Sequence, residues 1–407
     1  MEIINGGVTA AQGFTAASCA AGIKYEGRTD MAMVFSKTPC VSAGTFTSNV
    51  VKAACVQWDK KLVESGKPMH GVVINSGIAN ACTGQEGMDA CIATANAVER
   101  ALLVPFDTVA VASTGVIGMQ LPVEKLTAGV KAMVPKLSSE QEAGTEASRA
   151  IMTTDTVNKE AAVSFEIGGQ KVILGGMSKG SGMIHPNMCT MLGFLTTDLS
   201  IEKVLMQKAL SEVVKDTFNM ISVDGDTSTN DTLLIMANGL AGNEKIVEEN
   251  DDYNTFKEAL FHVCRTLAMK MAKDGEGASK LFSAHVVNAR SKEDARTLAR
   301  SVISSNLSKA AIFGCDANFG RFLCAMGYSG VDFNQDDVEL FFESSAGRLQ
   351  VFNYGIPLEF DEDEALKILK EDEITIYIDM HEGSSEATAW GCDLTYDYVK
   401  INADYRS

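Results

Sequence analysis

Two consecutive glycines, Gly168 and Gly169, separate two runs rich in Val, Ile and Phe at residues 161–167 and 170–174. Both glycines tolerate positive φ, which is what a two-residue primed turn requires, so the runs are expected to pair as an antiparallel hairpin. Further strands are expected at 71–75, 108–112, 232–237, 338–342 and 374–379, from their β-branched and aromatic content. Helices fall between them. Pro122 stands where a first helical residue belongs, and Val123, Leu126, Val130 and Val134 then recur at helical spacing. Thr255 with Glu258 reads as a capping box ahead of the stripe Phe256, Leu260, Val263, Leu267 and Met271, with Gly275 as the stop. Strands and helices intermixed around at least one hairpin favour a layered α+β fold over a strictly alternating parallel sheet.

No Pro-rich, Ser-rich or single-charge linker divides the 407 residues, so one large unit with a shared core is preferred to two tethered domains. With 46% hydrophobic and 22% charged residues the chain can bury such a core. The net charge of −18, without a basic cluster, argues against a nucleic-acid partner. No run approaches the ~18 apolar residues of a membrane span and no secretory signal opens the chain, so no membrane and a cytoplasmic location are expected. The ten cysteines show no C-x-x-C spacing and are expected to be reduced, mostly buried thiols, with no metal site among them.

The most unusual stretch is Gly175-Gly176-Met177-Ser178-Lys179-Gly180-Ser181-Gly182-Met183-Ile184-His185-Pro186-Asn187-Met188-Cys189-Thr190-Met191-Leu192. As a phosphate cradle it fails: G-x-x-x-x-G-K-[ST] is absent, and His185 stands where a dinucleotide fingerprint needs its third glycine. Gly176-Met177-Ser178-Lys179-Gly180 fits G-x-S-x-G, but a nucleophile elbow must lead directly into a helix, whereas more glycine and Pro186 follow. A third reading centres on Thr190, with the glycine-rich stretch as a flexible tail before a scissile bond. A threonine at a chain terminus carries an α-amine that can serve as its own base, so no His-Asp pair is required. The chain has only five histidines, none in an obvious triad. From pattern alone all three readings stay open, beside the plain one of a threonine opening a strand.

The stretch resembles the cleavage region of the ornithine acetyltransferases, also called glutamate N-acetyltransferases, whose pattern is K-G-[SA]-G-M-x-x-P-x-x-A-T-M-L. The similarity continues in Asn75-Ser76-Gly77, Ala79-Asn80-Ala81-Cys82-Thr83-Gly84, Ser113-Thr114-Gly115-Val116-Ile117-Gly118 and Met152-Thr153-Thr154-Asp155-Thr156. It runs on through Ser228-Thr229-Asn230-Asp231-Thr232, Asp274-Gly275-Glu276-Gly277-Ala278, Ala389-Trp390-Gly391-Cys392-Asp393-Leu394 and the ending Ile401-Asn402-Ala403-Asp404-Tyr405-Arg406-Ser407. The resemblance implies an αββα sandwich, self-cleavage between Cys189 and Thr190 into an α chain (1–189) and a β chain (190–407), and an α₂β₂ particle. It implies acetyl transfer from N-acetylornithine to glutamate through acetyl-Thr190. Thr114 and Gly115 would form the oxyanion hole. Thr153, Lys179, Thr190, Glu276, Asn402 and Ser407 would contact substrate. It implies no metal or redox cofactor, with acetyl-CoA as a second acetyl donor in some members.

The chain departs from the family pattern at four places. Cys189 replaces the usual alanine, Asn158 a common proline, Phe319 a usual tryptophan and Ser407 a common terminal threonine. Two other functions remain open on sequence: an N-terminal-nucleophile amidase or aminopeptidase using the same Thr190, and a non-catalytic small-molecule-binding protein.

Overall fold

The computed structural model describes residues 1–185 and 191–404. The chain divides into two compact units. The first takes Met1–Gly180, Asn187–Lys215 and Thr227–Leu267, and the second takes Ser181–Pro186, Asp216–Asp226 and Ala268–Ser407. The chain therefore passes from one unit to the other several times, which is why no single linker marks a boundary.

The first unit is built on a nine-stranded sheet. Its order runs Glu2–Ile4, Lys159–Ile167, Gln170–Lys179, Leu192–Thr197, Thr232–Ala237, Met31–Phe46, Met69–Ile78 and Val109–Val116, with Phe14–Cys19 also paired to Met31–Phe46. The hairpin forms as expected, with Gly168 and Gly169 at φ 56° and 77° and antiparallel register from Ile167↔Gln170 to Lys159↔Ser178. Leu192–Thr197 is an interior strand with all six residues buried. It lies antiparallel to Gln170–Lys179, with Lys179 opposite Leu192, and parallel to Thr232–Ala237, with Thr232 opposite Leu192. Helices Ala54–Ser65, Gly84–Leu102, Val123–Met133 and Gln141–Ala150 supply Leu62, Val98, Leu126 and Ala147 to a core shared with Met177, Leu192, Phe194 and Leu234.

The second unit holds a seven-stranded sheet in the order Ile356–Pro357, Gly347–Asn353, Glu339–Ser344, Glu373–Asp379, Leu281–Ala289, Ser385–Cys392 and Ile221–Ser222. Helix Lys292–Ser304 packs on its Leu281–Ala289 and Ser385–Cys392 strands. It buries Ala295, Leu298, Ala299, Val302 and Ile303, a spacing that keeps one face apolar. The fold class is thus α+β, with helices and two mixed sheets.

The helix ends differ from expectation in two places. Helix Asp251–Lys273 opens four residues before the expected Thr255–Glu258 box. Asn250 caps it, its side-chain oxygen accepting from the Tyr253 N–H at 3.0 Å. Thr255 lies inside the first turns and donates its hydroxyl back to the Asp251 carbonyl at 2.9 Å, the alternative use of a helical threonine. The apolar stripe holds, with Phe256, Leu260, Val263, Leu267 and Met271 all fully buried. Pro122 is the residue before helix Val123–Met133, and Val134 belongs to a short 3₁₀ turn. Among the described residues no helix is long and apolar enough to cross a membrane. Of the nine described cysteines, Cys19, Cys40, Cys55, Cys91, Cys264 and Cys392 are buried.

Candidate active site

Strand Val109–Val116 runs parallel to Met69–Ile78, which sets Thr114 beside Ser76 and Gly115 beside Gly77. Gly115 has φ 127°, and a Cβ there would sit 2.3 Å from the Gly77 carbonyl carbon. Only glycine permits that approach. The turn beyond is tied across: Ala79 N–H donates to Val116 O at 2.9 Å and Gly118 N–H to Ala81 O at 2.9 Å. Asn230, buried, donates its amide to Ala79 O at 2.5 Å and Ser113 O at 2.8 Å. The backbone on which Thr114 stands is thereby clamped from below.

Lys179 ends the Gln170–Lys179 strand and is 8% exposed. Its ammonium donates to the Thr153 hydroxyl at 2.9 Å and the Thr114 hydroxyl at 3.2 Å. A hydroxyl that accepts from an ammonium keeps its own proton to donate elsewhere. Lys179 Nζ also lies 3.9 Å from Asp155 Oδ2. Asp155 is buried and pairs at 2.7 Å with Lys159, which is wholly buried, and accepts the Gly180 N–H at 2.7 Å and the Thr153 N–H at 3.1 Å. Burial alone would raise the Asp155 pKa. The charges of Lys179 and Lys159, with the hydrogen bonds from Lys159 and Gly180, outweigh it and hold the group at about 2. Two cations thus share one carboxylate.

In the second unit Gly182 packs against Glu276 so closely that a Cβ would lie 2.4 Å from the Glu276 carboxyl carbon. Glu276 is 9% exposed. Its N–H donates to Ser181 O at 2.8 Å, and Asn402 Nδ2 donates to its Oε2 at 2.8 Å. Asn402 lies on helix Tyr396–Ala403, whose capping residue Thr395 donates to Gly277 O at 2.7 Å. Asp224 accepts the N–H groups of Met183 and Ile184 at 2.6 and 2.9 Å. His185 Nδ1 is 3.1 Å from Ser222 Oγ, and burial, then Arg300, lowers its pKa. Residues 180–185 are therefore held by specific bonds, contrary to the expectation of a flexible tail.

Of the expected site residues, Thr114, Gly115, Thr153 and Lys179 come together in the first unit, and Glu276 with Asn402 in the second. Cys189, Thr190 and Ser407 lie outside the described residues. Sequence reasoning missed Asp155, Lys159, Asn230 and Asp224. Their signal was present: acids and amides inside Thr- and Gly-rich runs, with Lys159 four residues after Asp155. At the departure from family pattern, Asn158 donates to Ser148 Oγ and Glu160 Oε2, both at 3.0 Å, contacts a proline lacks. Phe319 meets Phe352 with ring centroids 5.8 Å apart.

Among the described residues one group could hold a metal: Glu339, Asp379 and His381. His381 Nε2 faces Glu339 at 2.7 Å and Nδ1 faces Asp379 at 3.5 Å. Each ring nitrogen faces a different carboxylate.

The ArgJ family model matches residues 15–407. The chain belongs to the ArgJ family. An arginine biosynthesis bifunctional protein ArgJ from Symbiobacterium thermophilum is 50% identical over 409 residues, covering 100% of both chains. The protein of that name from Bacillus subtilis is 44% identical, covering 99% of this chain and 97% of its own. A crystal structure of the arginine biosynthesis bifunctional protein from Bacillus halodurans, 44% identical, covers 52% of this chain and 97% of its own, with a TM-score of 0.49. Family membership makes this chain an acetyltransferase of arginine biosynthesis, the class that the sequence resembles.

The buried ion cluster gives a first prediction. Asp155→Asn leaves two buried ammonium groups without their shared carboxylate, so it should cost about 3–5 kcal/mol at neutral pH. A carboxyl lowered on folding adds stability that is full above its unfolded pKa of roughly 4 and is lost as pH falls toward its folded value. The stability gap between wild type and D155N, measured by urea denaturation, should therefore narrow steadily below roughly pH 4.

Proposed function

We propose that this chain cleaves itself between Cys189 and Thr190 and then carries acetyl from N-acetylornithine to glutamate on the Thr190 hydroxyl. The observation that carries the reading is the pairing of Leu192 with Lys179, whose ammonium holds the Thr114 hydroxyl. Leu192 follows Thr190 by two residues in the sequence, and its partner Lys179 holds the hydroxyl that best suits an oxyanion, which supports this reading.

In the cleavage step Thr190 Oγ bonds to the Cys189 carbonyl carbon, the C–N bond breaks, and the hydroxyl proton passes to the departing nitrogen. Water then hydrolyses the ester, leaving a Cys189 carboxylate and a Thr190 α-amine. In transfer, that amine takes the Thr190 hydroxyl proton as Oγ attacks the acetyl carbonyl, and returns it to the amine of departing ornithine. Glutamate's amine then attacks acetyl-Thr190, and the acetyl leaves as N-acetylglutamate with Thr190 regenerated. The Thr114 hydroxyl and Gly115 N–H would stabilise the oxyanion in each tetrahedral intermediate.

Lys179 and Thr153 suit the substrate carboxylate, and Glu276 suits an ammonium group. Asn402 takes one Glu276 oxygen and so orients the carboxylate. Ser407 would add a hydroxyl contact. We further propose a cytoplasmic α₂β₂ assembly of the two products. No metal or redox step enters this scheme. The name "bifunctional" carried by the relatives supports a second activity, with acetyl-CoA as donor to glutamate.

Three measurements test this. Intact mass under denaturing conditions should give two fragments, ending at Cys189 and beginning at Thr190, and Thr190→Ala should remain whole; an uncut wild type removes the base and sinks the mechanism. Thr114→Val should lower the transfer rate about 10²–10³-fold, and a loss under threefold would exclude its hydroxyl from the oxyanion hole. N-acetylglutamate formed from acetyl-CoA and glutamate alone would establish the second activity, and none would limit the enzyme to recycling acetyl.

A further inference from the structure

In the second unit two lysine ammonium groups each lie against a cysteine sulfur. Lys309 Nζ is 3.5 Å from Cys392 Sγ, with both residues buried, and burial pushes that thiol up. Lys280 Nζ is 3.3 Å from Cys315 Sγ, and both of these residues are half-buried, within reach of a reagent in solvent. The first pair is sealed and the second is not.

Backbone holds the open pair in place. Helix Asn306–Phe313 ends at Gly314, and Cys315 follows with φ 51°, its N–H donating to Ile312 O at 3.2 Å. The Asp316 N–H donates to Ala311 O at 2.9 Å, so the turn is closed on both sides of the cysteine. Lys280 leads into strand Leu281–Ala289, and its N–H donates to Asp393 Oδ1 at 3.0 Å. Both side chains converge on the Leu369 carbonyl at the C-terminus of helix Glu362–Leu369, where the thiol donates at 3.2 Å and the ammonium donates as well. A helix C-terminus leaves carbonyls to be satisfied and attracts a cation. That accounts for the lysine. A sulfur is not needed for such a bond, since a hydroxyl would serve it. What sulfur adds is oxidation chemistry, with a nitrogen nucleophile already in contact.

We propose that Cys315 and Lys280 form a redox-sensitive cross-link, a covalent S–N bond made when a hydroperoxide reaches the pair. Cys315 Sγ bonds to one peroxide oxygen as the O–O bond breaks, and the departing hydroxide takes the thiol proton to leave as water. The product is a sulfenic acid, whose sulfur is the electrophile for the second step. Lys280 Nζ, as the free amine, bonds to Sγ while the S–O bond breaks, and the hydroxide takes a proton from nitrogen to leave as a second water. Sulfur is oxidised by two electrons and the peroxide is reduced by two. A thiol reductant reverses the link: one thiol attacks sulfur and releases the lysine amine, and a second restores Cys315. The link ties the segment that carries Glu276, four residues before Lys280, to the end of helix Asn306–Phe313. It stands apart from the role of Thr190.

Hydrogen peroxide applied to the folded protein, followed by peptide mass mapping without reductant, tests this. One joined species carrying Lys280 and Cys315 is expected, lighter than the sum of its two peptides by two hydrogen atoms and separated again by dithiothreitol. Lys280→Arg keeps a cation for the Leu369 carbonyl but replaces the amine with a guanidinium that stays charged. It should lose the joined species, and its Cys315 should advance to sulfinic acid. Lys309 and Cys392 should stay unlinked in both proteins. Three results overturn the proposal: sulfinic acid at Cys315 of the wild type without a link, a disulfide from Cys315, or an unoxidised Cys315 once the exposed Cys82 and Cys324 have reacted. The wild-type map decides alone should the arginine variant fail to fold.

Discussion

The buried carboxylate of Asp155, shared by Lys159 and Lys179, is the interaction on which the first unit's site depends. Bringing one unpaired ion into a protein interior costs several kcal/mol, and three such ions hold only where each has partners. Asp155 meets that demand with Lys159, Lys179 and the N–H groups of Thr153 and Gly180. One consequence is mechanical: it pins the chain where it leaves strand Gln170–Lys179. Another is electrical. With its charge balanced, the Lys179 ammonium can stay inside the protein and direct its protons at the Thr114 and Thr153 hydroxyls.

Glycine does the complementary work. Where Lys179 supplies charge, Gly115 supplies closeness, drawing the backbone after Thr114 against Gly77. Asn230 then braces the carbonyl just before Thr114. Site precision here comes from backbone held by backbone, with side chains at the joints, which suits groups that must stabilise charge without moving.

Local chemistry decided what could be read from sequence. The Gly168-Gly169 hairpin, the strand at 232–237 and the stripe from Phe256 to Met271 were legible because each repeats one period strongly enough to outweigh context. Met31–Phe46 was missed because Ser36, Pro39, Ser42 and Gly44 disfavour strands locally, and only its neighbours on both sides make it one. Thr255 misled because one hydroxyl suits either a cap or an internal turn, and Asn250 had the stronger claim. In the site, Thr114, Gly115, Thr153, Lys179, Glu276 and Asn402 were reached through motifs. Asp155, Lys159 and Asn230 were not, since they act by what they hold: the four-residue spacing of Asp155 and Lys159 was there to read, but Asn230 meets Ala79 and Ser113, partners distant in sequence that carry no spacing. The two-unit division was invisible for a related reason: it is drawn by contacts that ignore chain order.

Strand Leu192–Thr197 lies in the interior of its sheet, zipped to a partner on each side. Should residue 190 become a chain terminus, the two products would share a sheet without sharing a backbone. Unfolding would then release two molecules in place of one, and refolding would become a second-order encounter. Stability would rise with protein concentration as it does for an obligate dimer. The glycine-rich link that guided the first folding would be gone, so the mature enzyme would owe its persistence to slow unfolding more than to easy return.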